Sequence, residues 1–288
     1  MGLLSGLRSK KLDPAWTFRT KGVCWRLLPT RNGLIVGEDR DVESKSVAFF
    51  CIDRLSGNVA WSDLRFPAQW WIGLESVQRN VVLLHEYATP DMPDHQKIIA
   101  VDLFTGQRLW EDPELKFLFA IENRLFAVRQ ELERPRFFEL DLETGARSLE
   151  VDSSKLDLLR ATTPADQYDF VSYASSLGEG GGNLAPFEPA MAQEVAKARR
   201  PEHAEVLLMG GKLAFGYYDN LSSDPLKPSF RQHLSVLSPD AKQPLFEDTP
   251  AAVAAVPVPD TFFGIGEMLY YIREKSAVVA LNLSERGS

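Results

Sequence analysis

The stretch Ala100-Val-Asp-Leu-Phe-Thr-Gly-Gln-Arg-Leu-Trp110 reads as two apolar strands joined by a tight turn. Asp102 can accept backbone N–H groups across the turn, and Gly106 supplies the positive φ that the reversal needs. The second strand closes on Trp110. Two further segments align with it without gaps, Cys51–Trp61 and Glu139–Leu149, placing Asp53 and Asp141 with Asp102, and Gly57 and Gly145 with Gly106. One such hairpin is weak evidence. Three in phase, each preceded by another pair of strand-like runs, define a repeat.

Working outward, 49 residues separate Asp53 from Asp102 and 39 separate Asp102 from Asp141. A degenerate copy lies at Leu234–Asp240, with Leu237 in the Asp place, and closes on Phe246. A last copy, Val278–Asn282, ends before a fourth strand can form, while an orphan strand, Pro14–Phe18, stands near the N-terminus. The spacing predicts an all-β fold, a β-propeller of six four-stranded blades; seven would need a further hidden blade, and five would make the fourth segment an insertion. Their approximate extents are 22–62, 69–111, 116–151, an irregular fourth at 155–203, 204–248, and 261 to the end. The orphan strand completes the last blade and closes the ring. Length alone suggests about two domains; the repeat replaces that with a single domain over 1–288, carrying an insertion at about 178–203.

The Asp…Thr-Gly…Leu-Trp turn resembles the repeat of quinoprotein-type β-propellers, a group of quinone-dependent dehydrogenases and non-enzymatic scaffolds. The resemblance implies the fold and little about activity. A narrower one rests on Trp25-Arg26, Glu38-Asp39-Arg40, Trp70-Trp71-Ile72-Gly73 and Pro90-Asp91-Met92-Pro93. These residues resemble an uncharacterised bacterial family, a domain of unknown function, and imply no activity.

Lys plus Arg number 32 against 40 for Asp plus Glu, a net charge of −8, so nucleic acid is not the expected partner. The start of the chain lacks a secretory pattern, and no apolar run is long enough for a membrane span, so a cytoplasmic location is expected. Cys24 and Cys51 sit in apolar strand-like runs and read as buried reduced thiols, with a disulfide between them as the alternative.

In a four-stranded blade, the loop between the second and third strands emerges on the face where the innermost strand begins. That rule gathers Glu38–Asp41, Ala88–His95, Glu131–Arg134 and Asp219–Asp224 on one face, with Trp70 and Trp71 at its central mouth. The candidate ligand-binding residues are Trp70, Trp71, Glu38, Asp39, Arg40, His85, Asp91, Asp94 and His95. Neighbouring tryptophans on a strand face opposite ways, so one packs between blades and the other stays free to stack on a ligand. His85, His95, Asp91 and Asp94 resemble a metal cluster, but their spacing matches no established zinc pattern, and no metal or cofactor is assigned. Glu38–Asp41 also reads as a self-paired, solvated loop.

No nucleophile elbow occurs, and neither cysteine has an evident partner. Gly178–Gly182 lacks the Lys-Ser/Thr ending of a phosphate-binding loop and reads as a hinge. Pro189–Arg200 reads as a helix stopped by Pro201, either a lid or an element packed on the rim. The leading expectation is a non-enzymatic binding or scaffold propeller taking a protein partner or small polar ligand at the mouth. The alternative is a hydrolase or related enzyme using paired carboxylates on a sugar-like ligand.

Overall fold

The computed structural model describes residues 11–89, 92–162, 167–179, 182–224 and 226–284. Chain contacts divide it into two compact units, Thr20–Asp169 and a second made of Met1–Arg19 with Phe170–Ser288.

The first unit holds three four-stranded antiparallel sheets, each a meander in chain order. After β1 (Pro14–Arg19), which belongs to the other unit, the first sheet has β2 (Val23–Pro29), β3 (Leu34–Asp41), β4 (Ser46–Asp53) and β5 (Val59–Leu64). The next sheet has β6 (Ile72–Gln78), β7 (Val81–Thr89), β8 (Met92–Asp102) and β9 (Arg108–Asp112). The third has β10 (Lys116–Ile121), β11 (Arg124–Arg129), β12 (Arg136–Asp141) and β13 (Arg147–Val151). Most of β3, β4 and β11 is buried on both faces, whereas β12 alternates. In β4, Val47 through Ile52 are all buried, which is why these segments read as continuous apolar runs rather than alternating ones.

The repeated turn forms as its chemistry dictates. Asp53, Asp102 and Asp141 each accept through Oδ1 from the backbone amides two and three residues on, and from the Ser56, Thr105 or Thr144 hydroxyl. Gly57, Gly106 and Gly145 take φ of 71°, 70° and 70°. The closing tryptophan then reaches the following sheet. Trp61 Nε1 donates to the Leu103 carbonyl at 2.8 Å, and Trp110 Nε1 donates to the Leu142 carbonyl at 2.9 Å. Leu149 stands in the third copy where the first two have tryptophan, and it is exposed.

In the other unit, β16 (Pro201–Met209), β17 (Lys212–Asn220), β18 (Phe230–Leu237) and β19 (Phe246–Ala254) form one meander. β20 (Phe262–Ile265), β21 (Met268–Arg273) and β22 (Ala277–Asn282) form another, completed by β1 lying antiparallel to β22. The orphan strand is therefore the outer strand of the last sheet. The degenerate copies fall at β18 and β22.

The expectation of six blades needs correction at 155–203. The described residues form five sheets, and that segment makes none of its own. It holds α1 (Ser153–Ala161), capped by Asp152 accepting from the Ser154 amide, and two-residue strands β14 (Ser172–Tyr173) and β15 (Ser175–Ser176). β14 adds to β20 and β15 adds to β16. The segment lacks the Asp-x-x-Ser/Thr-Gly turn that closes the outer hairpin of each earlier sheet. A helix does occur in the insertion, α2 (Glu188–Val195), shorter than expected. It stops early because Asp219 Oδ1 accepts from the Arg199 and Arg200 amides, drawing that backbone to β17. Its inner face packs Met191 with Phe187, Phe215 and Tyr217, as a fixed element on the sheet.

Candidate functional site

In the Thr20–Asp169 unit, the expected site residues gather around β3 and the β6–β8 sheet, with several changes of role. Glu38, Asp39, Arg40 and Asp41 are not a solvated loop. They end strand β3, and the turn comes after them. Strand alternation splits them: Glu38 and Arg40 point into the interior, with side chains 2% and 6% exposed. Arg40 Nε donates to Glu38 Oε2 at 2.8 Å, while its two terminal nitrogens donate to the Trp70 and Ile72 carbonyls. Glu38 Oε1 accepts from the Leu74 amide at 2.5 Å. The pair thus ties β3 to the start of β6, with its charges compensated as burial demands. Asp39, on the opposite face, accepts from the Lys21 and Gly22 amides.

Trp70 and Trp71 do not begin a strand as expected: they lie in the turn before β6, which starts at Ile72, and that turn sends the two rings to different surroundings. Trp70 packs against the apolar cluster that includes Val36, Phe49 and Ile72, with the Arg40 guanidinium 5.2 Å and the Lys45 ammonium 4.8 Å from its ring. Trp71 is 41% exposed and meets Tyr87 edge-on at 6.4 Å. Trp25, 65% exposed, lies 5.6 Å from the other side of the Arg40 guanidinium. Sequence reasoning did not place Trp25 at the site. It stands at the bulge between the Cys24–Asp39 and Arg26–Glu38 pairs of the β2–β3 ladder.

The expected His–Asp loop cluster is rearranged. Residues 92–95 belong to β8, not a loop. Asp91 lies outside the described residues. Asp94 turns away from the histidines and pairs with Lys116 Nζ at 2.6 Å, because adjacent strand residues face opposite ways. His85 and His95 do come together: their rings stack with centroids 3.5 Å apart and planes within 7°. Their carboxylate is Glu75, which the sequence reading did not single out. Its Oε2 lies 2.9 Å from His85 Nδ1 and 2.8 Å from His95 Nδ1. Two bulges build the arrangement, one between Leu74 and Ser76 at Glu75, the other between Leu84 and Glu86 opposite Lys97, whose φ is 59°. Gly73 sits across from His85, where a Cβ would come within 3.2 Å of the imidazole. Tyr87, two residues along β7 on the same face, meets both rings edge-on.

Burial pushes His85 below the ordinary imidazole range, with the Glu75 carboxylate opposing in part, so the ring is neutral at pH 7. Burial alone would raise the Glu75 carboxyl, but the two imidazoles beside it reverse the sign and hold it low. Cys24 and Cys51 are both free and buried, and burial pushes each thiol up to about 12. Neither is a nucleophile at neutral pH.

Among the described candidates for an acid–base pair, Glu38 is held by Arg40, Asp39 by backbone amides and Asp94 by Lys116. Elsewhere, Glu131 pairs with Arg129 and Arg136. In the second unit, buried Glu194 of α2 accepts from Lys197 and Ser235 beside a cleft of about 420 Å³ that His233 and Asp248 also line. Among the described residues, no helix is long and apolar enough to cross a membrane.

Four-stranded antiparallel meanders and the repeated Asp…Gly turns define an all-β protein. Residues 28–110 match the family described as "Domain of unknown function (DUF4905)". Solved structures similar to the chain include a europium-containing methanol dehydrogenase, at 14% identity and TM-score 0.33, covering 90% of this chain and 47% of that one. BamB from Moraxella catarrhalis is similar at 9% identity and TM-score 0.28, covering 94% and 97%. The β-propeller domain of Cps50 (Swd1) from Myceliophteria thermophila is similar at 13% and 0.32, covering 90% and 66%. The chain spans about half the length of the methanol dehydrogenase. These likenesses carry no activity to it. None of the curated proteins compared matches the chain.

Proposed function

We propose that the chain is a non-enzymatic binding or scaffold protein that receives a protein partner on the patch around Trp25 and Trp71. The observation that supports this reading is the pair of exposed tryptophans standing on a rigid base. Arg40 lies beneath Trp25 and is itself locked by Glu38 and two carbonyls, while Trp71 leans on Tyr87. Tryptophans presented this way offer large apolar area at small entropic cost, the property that concentrates binding energy in interface anchors. Arg40 and Glu38 act in this reading as the support beneath the surface.

The test is site-specific photo-crosslinking in cells, with a benzophenone amino acid at position 25 or 71 and a control at Leu149, which is 56% exposed on β13. A discrete crosslinked partner is expected from 25 and 71 and not from 149. A Trp25→Ala/Trp71→Ala chain should keep its melting temperature and lose recovery of that partner at least tenfold. Equal crosslinking from position 149, or unchanged recovery by the double variant, would refute the reading. Retention of a small polar molecule with no crosslinked protein would favour the ligand alternative.

A further inference from the structure

His85 is 3% exposed, and neither of its ring nitrogens has a hydrogen-bond partner among the described residues. Its Nδ1 lies 2.9 Å from Glu75 Oε2, yet that oxygen is off the line along which a ring N–H would point. The same oxygen is hydrogen-bonded with His95 Nδ1 at 2.8 Å. One carboxylate oxygen therefore has two imidazole nitrogens within 3 Å but an aligned hydrogen bond with only one of them. Leaving a buried imidazole nitrogen unsatisfied forfeits the hydration it had in the unfolded chain. The bulges at Glu75 and opposite Lys97, with the glycine facing His85, bring this constellation together on three successive strands.

We infer that Glu75, His85 and His95 form a binding site for a divalent transition-metal ion of the zinc type. Two imidazoles and one carboxylate are a borderline-soft N, N, O donor set, which suits zinc better than magnesium or calcium. The three donor atoms lie within 4.8 Å of one another. A tetrahedral zinc with bonds near 2.0 Å needs donors about 3.3 Å apart, so the close carboxylate contacts spread by a few tenths of an ångström, and the stacked imidazoles turn out of their parallel planes so that both Nδ1 lone pairs meet at one ion. Binding through Nδ1 fixes the His85 proton on Nε2. Entry is from solvent, because the His95 side chain is 38% exposed and that of Glu75 20%. The same opening leaves a fourth position for water or another ligand. The site needs no partner protein, so it stands apart from the binding role of Trp25 and Trp71.

The experiment uses the purified full chain, stripped with EDTA and titrated with zinc chloride, with bound metal counted by mass spectrometry after gel filtration. One zinc per chain is expected, with a melting temperature raised by zinc. Cobalt(II) should give the visible absorption of a low-coordinate site. Glu75→Gln and His95→Ala should each weaken zinc binding at least tenfold and lose the thermal shift while keeping the wild-type far-UV spectrum. His203→Ala, altering a histidine outside the cluster, should bind as wild type does. The inference is overturned if the wild type retains no zinc. It is equally overturned if Glu75→Gln and His95→Ala bind unchanged, or if His203→Ala loses as much as they do.

Discussion

Gly145 does two jobs at one backbone position. Its φ of 70° lets the chain reverse, and its missing side chain leaves room for Trp110, whose ring would lie 2.5 Å from a Cβ there. Gly106 stands in the same relation to Trp61, at 2.9 Å. Gly33 has a comparable φ of 83°, but the nearest atom to its Cβ position is 3.9 Å away. Positive φ costs an ordinary residue about 1–2 kcal/mol, and overpacking adds about 1–3 kcal/mol. Gly145→Ala should therefore destabilise the protein by about 2–5 kcal/mol, combining both effects, and Gly33→Ala by about 1–2 kcal/mol. Urea unfolding distinguishes them; equal losses would remove the tryptophan contact from the account. The turn chemistry is plain in the Asp…Gly spacing, whereas the tryptophan seated on the next glycine is visible only once the sheets are packed.

Between elements, the Glu38–Arg40 pair is the tie from β3 to β6. Each charge is buried, and each is satisfied by the other and by backbone groups of the neighbouring sheet's first strand. Removing one partner strands the other, so Glu38→Ala should cost about 3–5 kcal/mol. The Glu38→Leu/Arg40→Met pair should cost less than the sum of the two single changes, because no unpaired charge is left. A double-mutant cycle by chemical denaturation checks this, and strict additivity would mean that the two side chains act independently. Sequence reading named both residues but placed them in a solvated loop. The polar run Glu38–Asp41 carries no local sign that alternate members are buried, since burial here comes from β6 and Trp70 covering one face.

At the scale of the whole molecule, the last sheet draws its strands from both ends of the sequence. β1 covers the outer edge of β22, whose residues Ala277–Leu281 are all buried. A chain beginning at Thr20 should expose that edge, associate in a concentration-dependent way on gel filtration, and melt lower than the full chain. A monodisperse truncated chain with an unchanged melt would show that β1 is dispensable.

What the sequence determined by itself was the hairpin repeat and the complementary N-terminal strand, because each follows from interactions within a few residues or from the pattern of the repeat. Tertiary structure decided the rest. It alone showed that 155–203 attaches to flanking sheets, and that His85 and His95 meet Glu75 while Asp94 goes to Lys116. That meeting depends on the register of three strands and on two bulges, and a one-residue slip would turn the side chains to the other face.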